Sequence, residues 1–215
     1  MIIAMDGPAG SGKGTITSLV AQKLNMINID TGATYRCIAL LVLRNHLKVD
    51  EKEKIIELTR NAKIEIDEQN RVFLDGEDVS KEIRSKEVTD IVSQISVIQE
   101  VREILEDIQR EMAKGKDVVI EGRDMTTVVF PNADYKFYLD ASAEERARRR
   151  VKQNKEKGIE CSYEEILKNI NERDYIDMHK PKGALLRTKD QIYIDSTNMR
   201  IDEVVNEVLS HIKEK

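Results

Sequence analysis

The sequence feature that most constrains the fold of this chain is a glycine-rich run at residues 7–15, which reads Gly-Pro-Ala-Gly-Ser-Gly-Lys-Gly-Thr. An apolar run at residues 1–5 precedes it and has the length of a buried strand. Apolar residues follow it at helical spacing, namely Ile16, Leu19, Val20 and Leu24. This order predicts a phosphate-binding loop, because glycines let backbone N–H groups converge on an anion at the positive end of the following helix.

The lysine of this run, Lys13, supplies a positive charge for the outer phosphates of a nucleoside triphosphate. The next residue is usually Ser or Thr, whose hydroxyl reaches magnesium, but here Gly14 stands there and Thr15 follows one residue later. We therefore assign no side chain as a direct metal ligand. A structural glycine turn is the alternative interpretation, which the flanking strand and helix disfavour. The nucleotide-binding residues predicted from the loop are Gly7, Pro8, Ala9, Gly10, Ser11, Gly12, Lys13, Gly14 and Thr15.

Length and composition fit one α/β domain. The chain has 215 residues, of which 40% are hydrophobic and 35% are charged. The net charge of −5 argues against a general nucleic-acid binder, which needs a basic face. Cys37 and Cys161 lie far apart in sequence, as expected of thiols in a reducing compartment, and no stretch has the length and hydropathy of a membrane span. We expect a cytoplasmic protein that binds neither nucleic acid nor membrane.

Strand and helix patterns alternate along the chain. Residues 118–120 are a fully apolar run typical of a central parallel strand, and further strands are predicted at residues 26–29, 135–140 and 191–195. Helical spacing predicts helices at residues 16–24, 38–43, 87–114, 161–177 and 201–212, with another beginning within residues 141–150.

A change of hydrophobic period marks an insertion at residues 62–86. Ile64 and Ile66 alternate with charged residues, and Val72 and Leu74 do so after a turn. This pattern is typical of a β-hairpin. We interpret the segment as a small inserted subdomain.

Two other segments carry candidate binding residues. Tyr35 and Arg36 follow the strand at residues 26–29, where a ligand of an open α/β sheet binds; a surface arginine beside a packed tyrosine is almost equally favoured. Four arginines occur within residues 146–150, more than a solvated helix face requires. We predict that residues 146–158 form a lid that closes over phosphates.

Together these segments resemble bacterial-type cytidylate kinases over nearly the whole chain. The resemblance rests on motifs that occur in order at residues 6–15, 30–36, 76–80, 122–125, 128–131, 139–146 and 194–197. It implies a three-layer α/β fold of the P-loop class with a five-stranded parallel sheet, a monophosphate-binding insertion containing the hairpin, and a short lid. It also implies one kinase domain over residues 1–215 and a monomer.

The resemblance further implies that the γ-phosphate of ATP is transferred to CMP or dCMP with Mg²⁺. By position, Thr31, Arg102 and Asp124 match contacts to the cytosine ring. Residues matching contacts to the sugar are Ser93, Arg173 and Asp177, and those matching contacts to the monophosphate are Arg36, Arg123 and Lys180. Residue types agree, because a carboxylate accepts from the cytosine amine and arginine forks bind phosphate. Phosphoryl transfer requires positioning and charge neutralisation, for which we choose Lys13, Arg146, Arg149 and Arg150.

The sequence departs from the family pattern at two positions. Thr126 stands where glycine is usual, and Lys180 stands where an arginine usually binds the acceptor phosphate. Lysine is a point charge without a bidentate fork, and a solvated lysine at a helix end is the alternative interpretation of Lys180. Two other functions compete with CMP phosphorylation: a kinase for another nucleoside monophosphate or small hydroxy-acid, and a non-catalytic nucleotide-binding regulator.

Overall fold

The computed structural model of the protein describes residues 1–67, 69–156 and 158–212. Strands and helices alternate along most of this length. In chain order the elements are β1 (Ile2–Asp6), α1 (Lys13–Leu24), β2 (Ile27–Asp30), α2 (Thr31–Arg44), α3 (Lys52–Asn61), β3 (Ile64–Ile66), β4 (Val72–Leu74), β5 (Glu77–Asp78), a 3₁₀ turn (Glu82–Arg84), α4 (Lys86–Ile95), α5 (Gln99–Ala113), β6 (Val118–Gly122), a π-helical turn (Met125–Val129), β7 (Tyr135–Asp140), α6 (Ala143–Glu156), α7 (Tyr163–His179), β8 (Ile192–Asp195) and α8 (Ile201–Ser210).

The main sheet has five strands in the order β2-β6-β1-β7-β8. In the parallel pair of β1 and β7, Ile3 lies opposite Tyr135 and Asp6 opposite Tyr138. The parallel pair of β7 and β8 continues the sheet. The predicted α/β fold with a five-stranded parallel sheet is therefore confirmed.

One compact unit comprises Met1–Met26 and Val119–Lys215. Its core is aliphatic, because the strand residues that point inward are Ile, Met, Val and Leu, with Phe137 as the largest fully buried side chain. Helix α1 packs against α8, and α6 packs against α7. This unit holds the glycine-rich run at the end of β1, where backbone N–H groups at the start of α1 are available to an anion.

The other compact unit is Ile27–Val118. Its apolar core includes Ile38, Ile55, Ile83 and Leu105, all buried. The predicted hairpin is confirmed, with Ile64 opposite Leu74 and Ile66 opposite Val72, and β5 adds a third antiparallel strand. The two ends of the unit lie together, since the Ile27 N–H donates to the Asp117 carbonyl at 3.0 Å.

Two predicted helix boundaries are wrong. Helix α2 begins at Thr31 rather than after Arg36, because the Asp30 carboxylate accepts from the Ala33 N–H and caps the helix there. Residues 87–114 form two helices, because Ile98 has an extended backbone conformation between α4 and α5. Glu68, within the predicted insertion, and Lys157, within the predicted lid, lie outside the described residues. Over the described ranges, no helix is long and apolar enough to span a membrane.

Candidate active site

The glycine-rich run folds into an open loop between β1 and α1. Gly10 and Gly12 have φ of +79° and +95°, which an L side chain adopts only with strain. The side chain of Lys13 is buried and donates to the carbonyls of Gly7 and Pro8, both at 2.8 Å. Burial and the nearby positive charge of Arg123 lower the pKa of Lys13 to about 7. The loop thus places a titratable lysine beside main-chain groups that can bind an anion.

Gly14 leaves a space that a carboxylate fills. A Cβ at this position would lie 2.8 Å from Oε1 of Glu121, near the end of β6. A serine or threonine after Lys13 would therefore collide with Glu121 unless that side chain moved. Thr15, the next hydroxyl in the sequence, is exposed. The sequence pattern around Lys13 did not single out Glu121, since its position over Gly14 depends on the neighbouring strands.

Two arginines of α6 donate hydrogen bonds to backbone carbonyls of the glycine-rich loop. Arg146 is buried, donates to the Ala9 carbonyl at 2.9 Å and pairs with the Asp174 carboxylate at 2.6 Å. Arg149 donates to the carbonyls of Ser11 at 3.4 Å and Ser196 at 2.6 Å. These contacts place two guanidinium groups at the loop that carries Lys13.

The remaining arginine predicted for this role is placed differently. Arg150 is exposed on α6 and makes no hydrogen bond to residues 7–15 within the part of the chain that the structure describes. Positions 149 and 150 lie on opposite flanks of Arg146, and the exposed side chain of Arg150 is on the flank away from Arg149. The structure therefore groups Arg146 and Arg149 and leaves Arg150 apart from them.

The turn after β6 carries a second group of predicted residues. Arg123 donates to Asp177 on α7 at 2.8 Å, and the Lys180 ammonium lies 3.6 Å from the other oxygen of the same carboxylate. Burial acts to raise the pKa of Asp177, but the positive charges of Arg123, Lys180 and Arg173 outweigh it and hold that pKa below its usual value. Asp124 is buried beside them, 3% exposed. Five of the predicted residues are thus brought together.

A buried carboxylate at the end of β1 fastens this turn. Asp6 accepts from the backbone N–H groups of Met125 at 2.8 Å and Thr126 at 2.9 Å. The phosphate-loop segment and the turn that bears Arg123 and Asp124 are therefore joined directly through one side chain. Asp6 was missed among the candidates, although a charged residue closing an apolar strand is a signal that could have been used.

The other predicted residues belong to the unit Ile27–Val118. Arg36 donates to the Ile83 carbonyl at 3.2 Å and to the Thr89 hydroxyl at 2.9 Å, so it is anchored rather than a free surface arginine. Arg102 is buried, lies over the Tyr35 ring at 5.6 Å and pairs with Glu106 at 3.6 Å. Its guanidinium also donates to the Ser96 carbonyl.

Two further residues of this unit were predicted to bind the nucleotide. Thr31 is buried at the first turn of α2, and Ser93 lies half-buried on α4. The Ser96 hydroxyl donates to the Ser93 carbonyl at 2.8 Å, so Ser93 and Arg102 share Ser96 as a neighbour. Ser96, at the end of α4, thus contacts both the backbone of Ser93 and the side chain of Arg102.

Comparison with known proteins places these residues in a family. Residues 3–214 match the family described as cytidylate kinase. The chain belongs to the cytidylate kinase family. A cytidylate kinase from Caldanaerobacter subterraneus subsp. tengcongensis is 48% identical over 98% of this chain and 94% of its own. Another, from Caldicellulosiruptor saccharolyticus, is 49% identical over 96% of this chain and 93% of its own.

Solved structures agree on the fold. A shikimate kinase from Bacteroides thetaiotaomicron superposes with a TM-score of 0.51 at 16% identity, covering 98% of this chain and 97% of that one. At this identity the likeness concerns the fold alone.

Lys180 is not the solvated lysine of the alternative interpretation. It is 8% exposed, and its ammonium faces the Asp177 carboxylate. If it binds the acceptor phosphate, Lys180→Ala should raise the KM for CMP about tenfold, because one charge-assisted contact is lost. Lys180→Arg should lower this KM, since a fork replaces a point charge. Both are measured by steady-state kinetics at saturating ATP.

The exposed Lys189 offers a matched control for this prediction. Lys189→Ala removes the same charge from a solvated position and should leave the KM for CMP unchanged. Equal constants for all three variants would show that Lys180 is not a phosphate ligand.

Proposed function

We propose that this protein transfers the γ-phosphate of ATP to CMP or dCMP and releases ADP with CDP or dCDP. The observation that carries the proposal is the Asp6 carboxylate, which joins the loop bearing Lys13 to the turn bearing Arg123 and Asp124. A donor-phosphate loop and a base-reading carboxylate held by one buried side chain suit a reaction between two bound nucleotides. Membership of the cytidylate kinase family supports cytosine as the base.

Each cluster has a proposed role in this reaction. Lys13, Arg146 and Arg149 lie at the loop and would stabilise the charge on the transferred phosphoryl group, as main-chain N–H groups of residues 7–15 bind the ATP phosphates. Arg150, also chosen for neutralising this charge, would join them only if α6 moves. The acceptor phosphate would be bound by Arg123, Lys180 and Arg36. Asp177, Arg173 and Ser93 would bind the sugar, and Thr31, Arg102 and Asp124 the base.

The segment roles follow from the same proposal. Residues 62–86, within the unit Ile27–Val118, would form the monophosphate-binding insertion, and residues 146–158 would form the lid. Both would belong to one kinase domain over residues 1–215. We further propose that the protein acts as a monomer in the cytoplasm. Sedimentation in the presence and absence of both nucleotides would test whether the protein is a monomer.

Magnesium is part of the proposed reaction, and the residues present fit a metal that arrives with ATP. Among the residues described, no cluster of three or more His, Cys, Asp or Glu side chains could hold a metal by itself. Glu121 places one carboxylate oxygen over Gly14, where a hydroxyl ligand is usual. Mg²⁺ commonly uses one or two carboxylates besides phosphate oxygens and water, so Glu121 would hold it here. When bound, the ion neutralises charge on the ATP phosphates.

An acceptor panel tests the proposed function. ADP formation is measured with ATP and Mg²⁺ and with CMP, dCMP, UMP, AMP or shikimate as the acceptor. CMP or dCMP should have the highest kcat/KM. Preference for any other acceptor would replace the cytosine assignment, and no turnover with the whole panel would favour a nucleotide-binding regulator.

Asp124→Asn should weaken discrimination between CMP and UMP by about tenfold or more, because an amide can donate to the uracil oxygen that repels a carboxylate. The ratio of kcat/KM for the two acceptors is the measurement. Asp107 is an exposed aspartate, 79% exposed at the side chain, and Asp107→Asn should leave the ratio unchanged. An equal loss with both acceptors would assign Asp124 a structural role instead.

A further inference from the structure

A buried chain of hydrogen bonds continues from Asp6 beyond the turn after β6. The Thr126 hydroxyl donates to Oδ2 of Asp6 at 2.6 Å, and Nε2 of Gln191 donates to the same hydroxyl at 2.5 Å. We call Asp6, Thr126 and Gln191 the Asp6 network. All three side chains are buried, at 0%, 2% and 8% exposed. The proposed catalytic roles use none of these three residues.

The direction of each hydrogen bond in the Asp6 network is determined by chemistry. The amide nitrogen of Gln191 only donates, so the Thr126 oxygen accepts from it and the single hydroxyl proton of Thr126 is left to point to Asp6. Gln191 is itself oriented, since its Oε1 accepts from the Thr188 N–H at 2.7 Å and its Nε2 also donates to the Leu186 carbonyl. The network therefore has one arrangement, anchored in residues 186–188.

The cost of burying Asp6 explains why the hydroxyl matters. Burial raises the pKa of Asp6, and the hydrogen bonds from Thr126 and Met125 oppose that rise. When a buried carboxylate loses a hydrogen-bond donor, its charged form becomes less stable, and the side chain moves or binds another donor. Without the hydroxyl, Asp6 would keep two backbone donors and Gln191 would lose its contact with the turn.

We propose that Thr126 and Gln191 are positioning residues that hold the turn bearing Arg123 and Asp124 in the geometry needed by the acceptor nucleotide. This inference rests on the proposed function. Thr126 lies two residues after Asp124, whereas Asp6 is held in β1 by its pairing with β7, so a loosened network misplaces the acceptor contacts rather than the loop N–H groups.

Thr126→Val keeps the shape of the side chain and removes its hydroxyl. We expect a rise of about tenfold or more in the KM for the acceptor, because small misplacements of positioning groups are costly, with the KM for ATP within about twofold of the parent. Thr126→Ser restores the hydroxyl and should recover most of the acceptor KM. Thr59 is another buried threonine, whose hydroxyl donates to the Ile55 carbonyl at 2.7 Å, and Thr59→Val should change neither constant.

The link to Gln191 is tested by a double-mutant cycle. Gln191→Met should also raise the acceptor KM, and the double variant with Thr126→Val should be no worse than Thr126→Val alone, since both remove the same link. Additive effects, or equal losses for ATP and acceptor in Thr126→Val, would overturn the proposal. If Thr126→Val does not fold, the other two variants decide. An acceptor KM that is near the parent value in Thr126→Ser and raised in Gln191→Met supports the proposal, and an unchanged acceptor KM in Gln191→Met overturns it.

Failure of the proposed function is distinguished in the same experiment. The KM is measured for whichever monophosphate the parent protein phosphorylates best, so loss of the cytosine assignment leaves the test intact. Hydrogen exchange of the Met125 and Thr126 amides provides a readout that is independent of turnover. Exchange in Thr126→Val should be faster than in the parent, and unchanged exchange would overturn the network even where activity falls.

Discussion

Lys13→Ala should reduce turnover about a hundred- to a thousandfold while the fold persists. Lys13 is the charged side chain of the phosphate loop, and removing one preorganised charge from a phosphoryl-transfer site has an effect of this size. The lost hydrogen bonds to the Gly7 and Pro8 carbonyls are local to the loop. Production of ADP with CMP is measured together with circular dichroism. Turnover within a few-fold of the parent would contradict the role of the loop.

Proton uptake on ATP binding provides a second measurement for the same residue. Burial lowers the pKa of Lys13 to about 7, so part of the nucleotide-free protein carries a neutral Lys13 at pH 8. A polyphosphate beside it favours the charged form and raises this pKa, so binding at pH 8 should be accompanied by proton uptake. Calorimetry in buffers of different ionisation enthalpy measures the uptake. In Lys13→Ala the uptake should vanish, and uptake unchanged from the parent would assign it to another group.

Gly7→Ala should destabilise the protein by about 3 kcal/mol or more. A Cβ at Gly7 would lie 2.0 Å from the Leu139 carbonyl oxygen on β7, and the backbone there has φ of +153°. Backbone strain and overpacking each cost about 1–3 kcal/mol, and a backbone carbonyl in a strand pair cannot move aside as a flexible side chain can. The free energy of unfolding is measured by urea denaturation.

Gly76→Ala separates the collision from the backbone strain. Gly76 has φ of +87°, and among the described residues, its two chain neighbours aside, no atom would lie within 4 Å of a Cβ at this position. This variant should lose only about 1 kcal/mol, which reflects the left-handed conformation alone. Equal losses of unfolding free energy in the two variants would mean that the collision with the Leu139 carbonyl adds nothing to the destabilisation by Gly7→Ala.

The sheet and the phosphate loop could be predicted from local sequence patterns, because each strand and the loop are encoded in a few consecutive residues. The apolar stretches of β1 and β6 and the alternation in β3 and β4 are each readable within a few residues. The break between α4 and α5 was not readable. Ile95, Ile98 and Val101 are all buried in one core, so apolar spacing continues across the point where the backbone leaves the helix.

Some residues of the candidate site could be predicted from the sequence, and the residues that hold them in place could not. Lys13 and the arginines of α6 belong to recognisable runs, and the resemblance to cytidylate kinases indicated Arg123 and Asp124. The partners that hold them are distant in sequence: Asp6 bonds to the turn after β6 across 119 and 120 residues, and Asp174 pairs with Arg146 across 28. Such partners are chosen by tertiary packing, which leaves no periodic signal. The π-helical turn at Met125–Val129 has no sequence signal for the same reason.

The hydrogen bond between Ile27 and Asp117 has a consequence for the chain as a polymer. The first and last residues of the unit Ile27–Val118 lie next to each other, so the unit is a closed loop in the sense of polymer theory. The entropy of closing a loop depends only weakly on its length, by about 0.6 kcal/mol per doubling. The segment that contributes Thr31, Arg36, Ser93 and Arg102 can therefore be lengthened, shortened or exchanged between relatives at little entropic cost to the rest of the chain. A change of length between Ile27 and Val118 is therefore compatible with an unchanged phosphate loop.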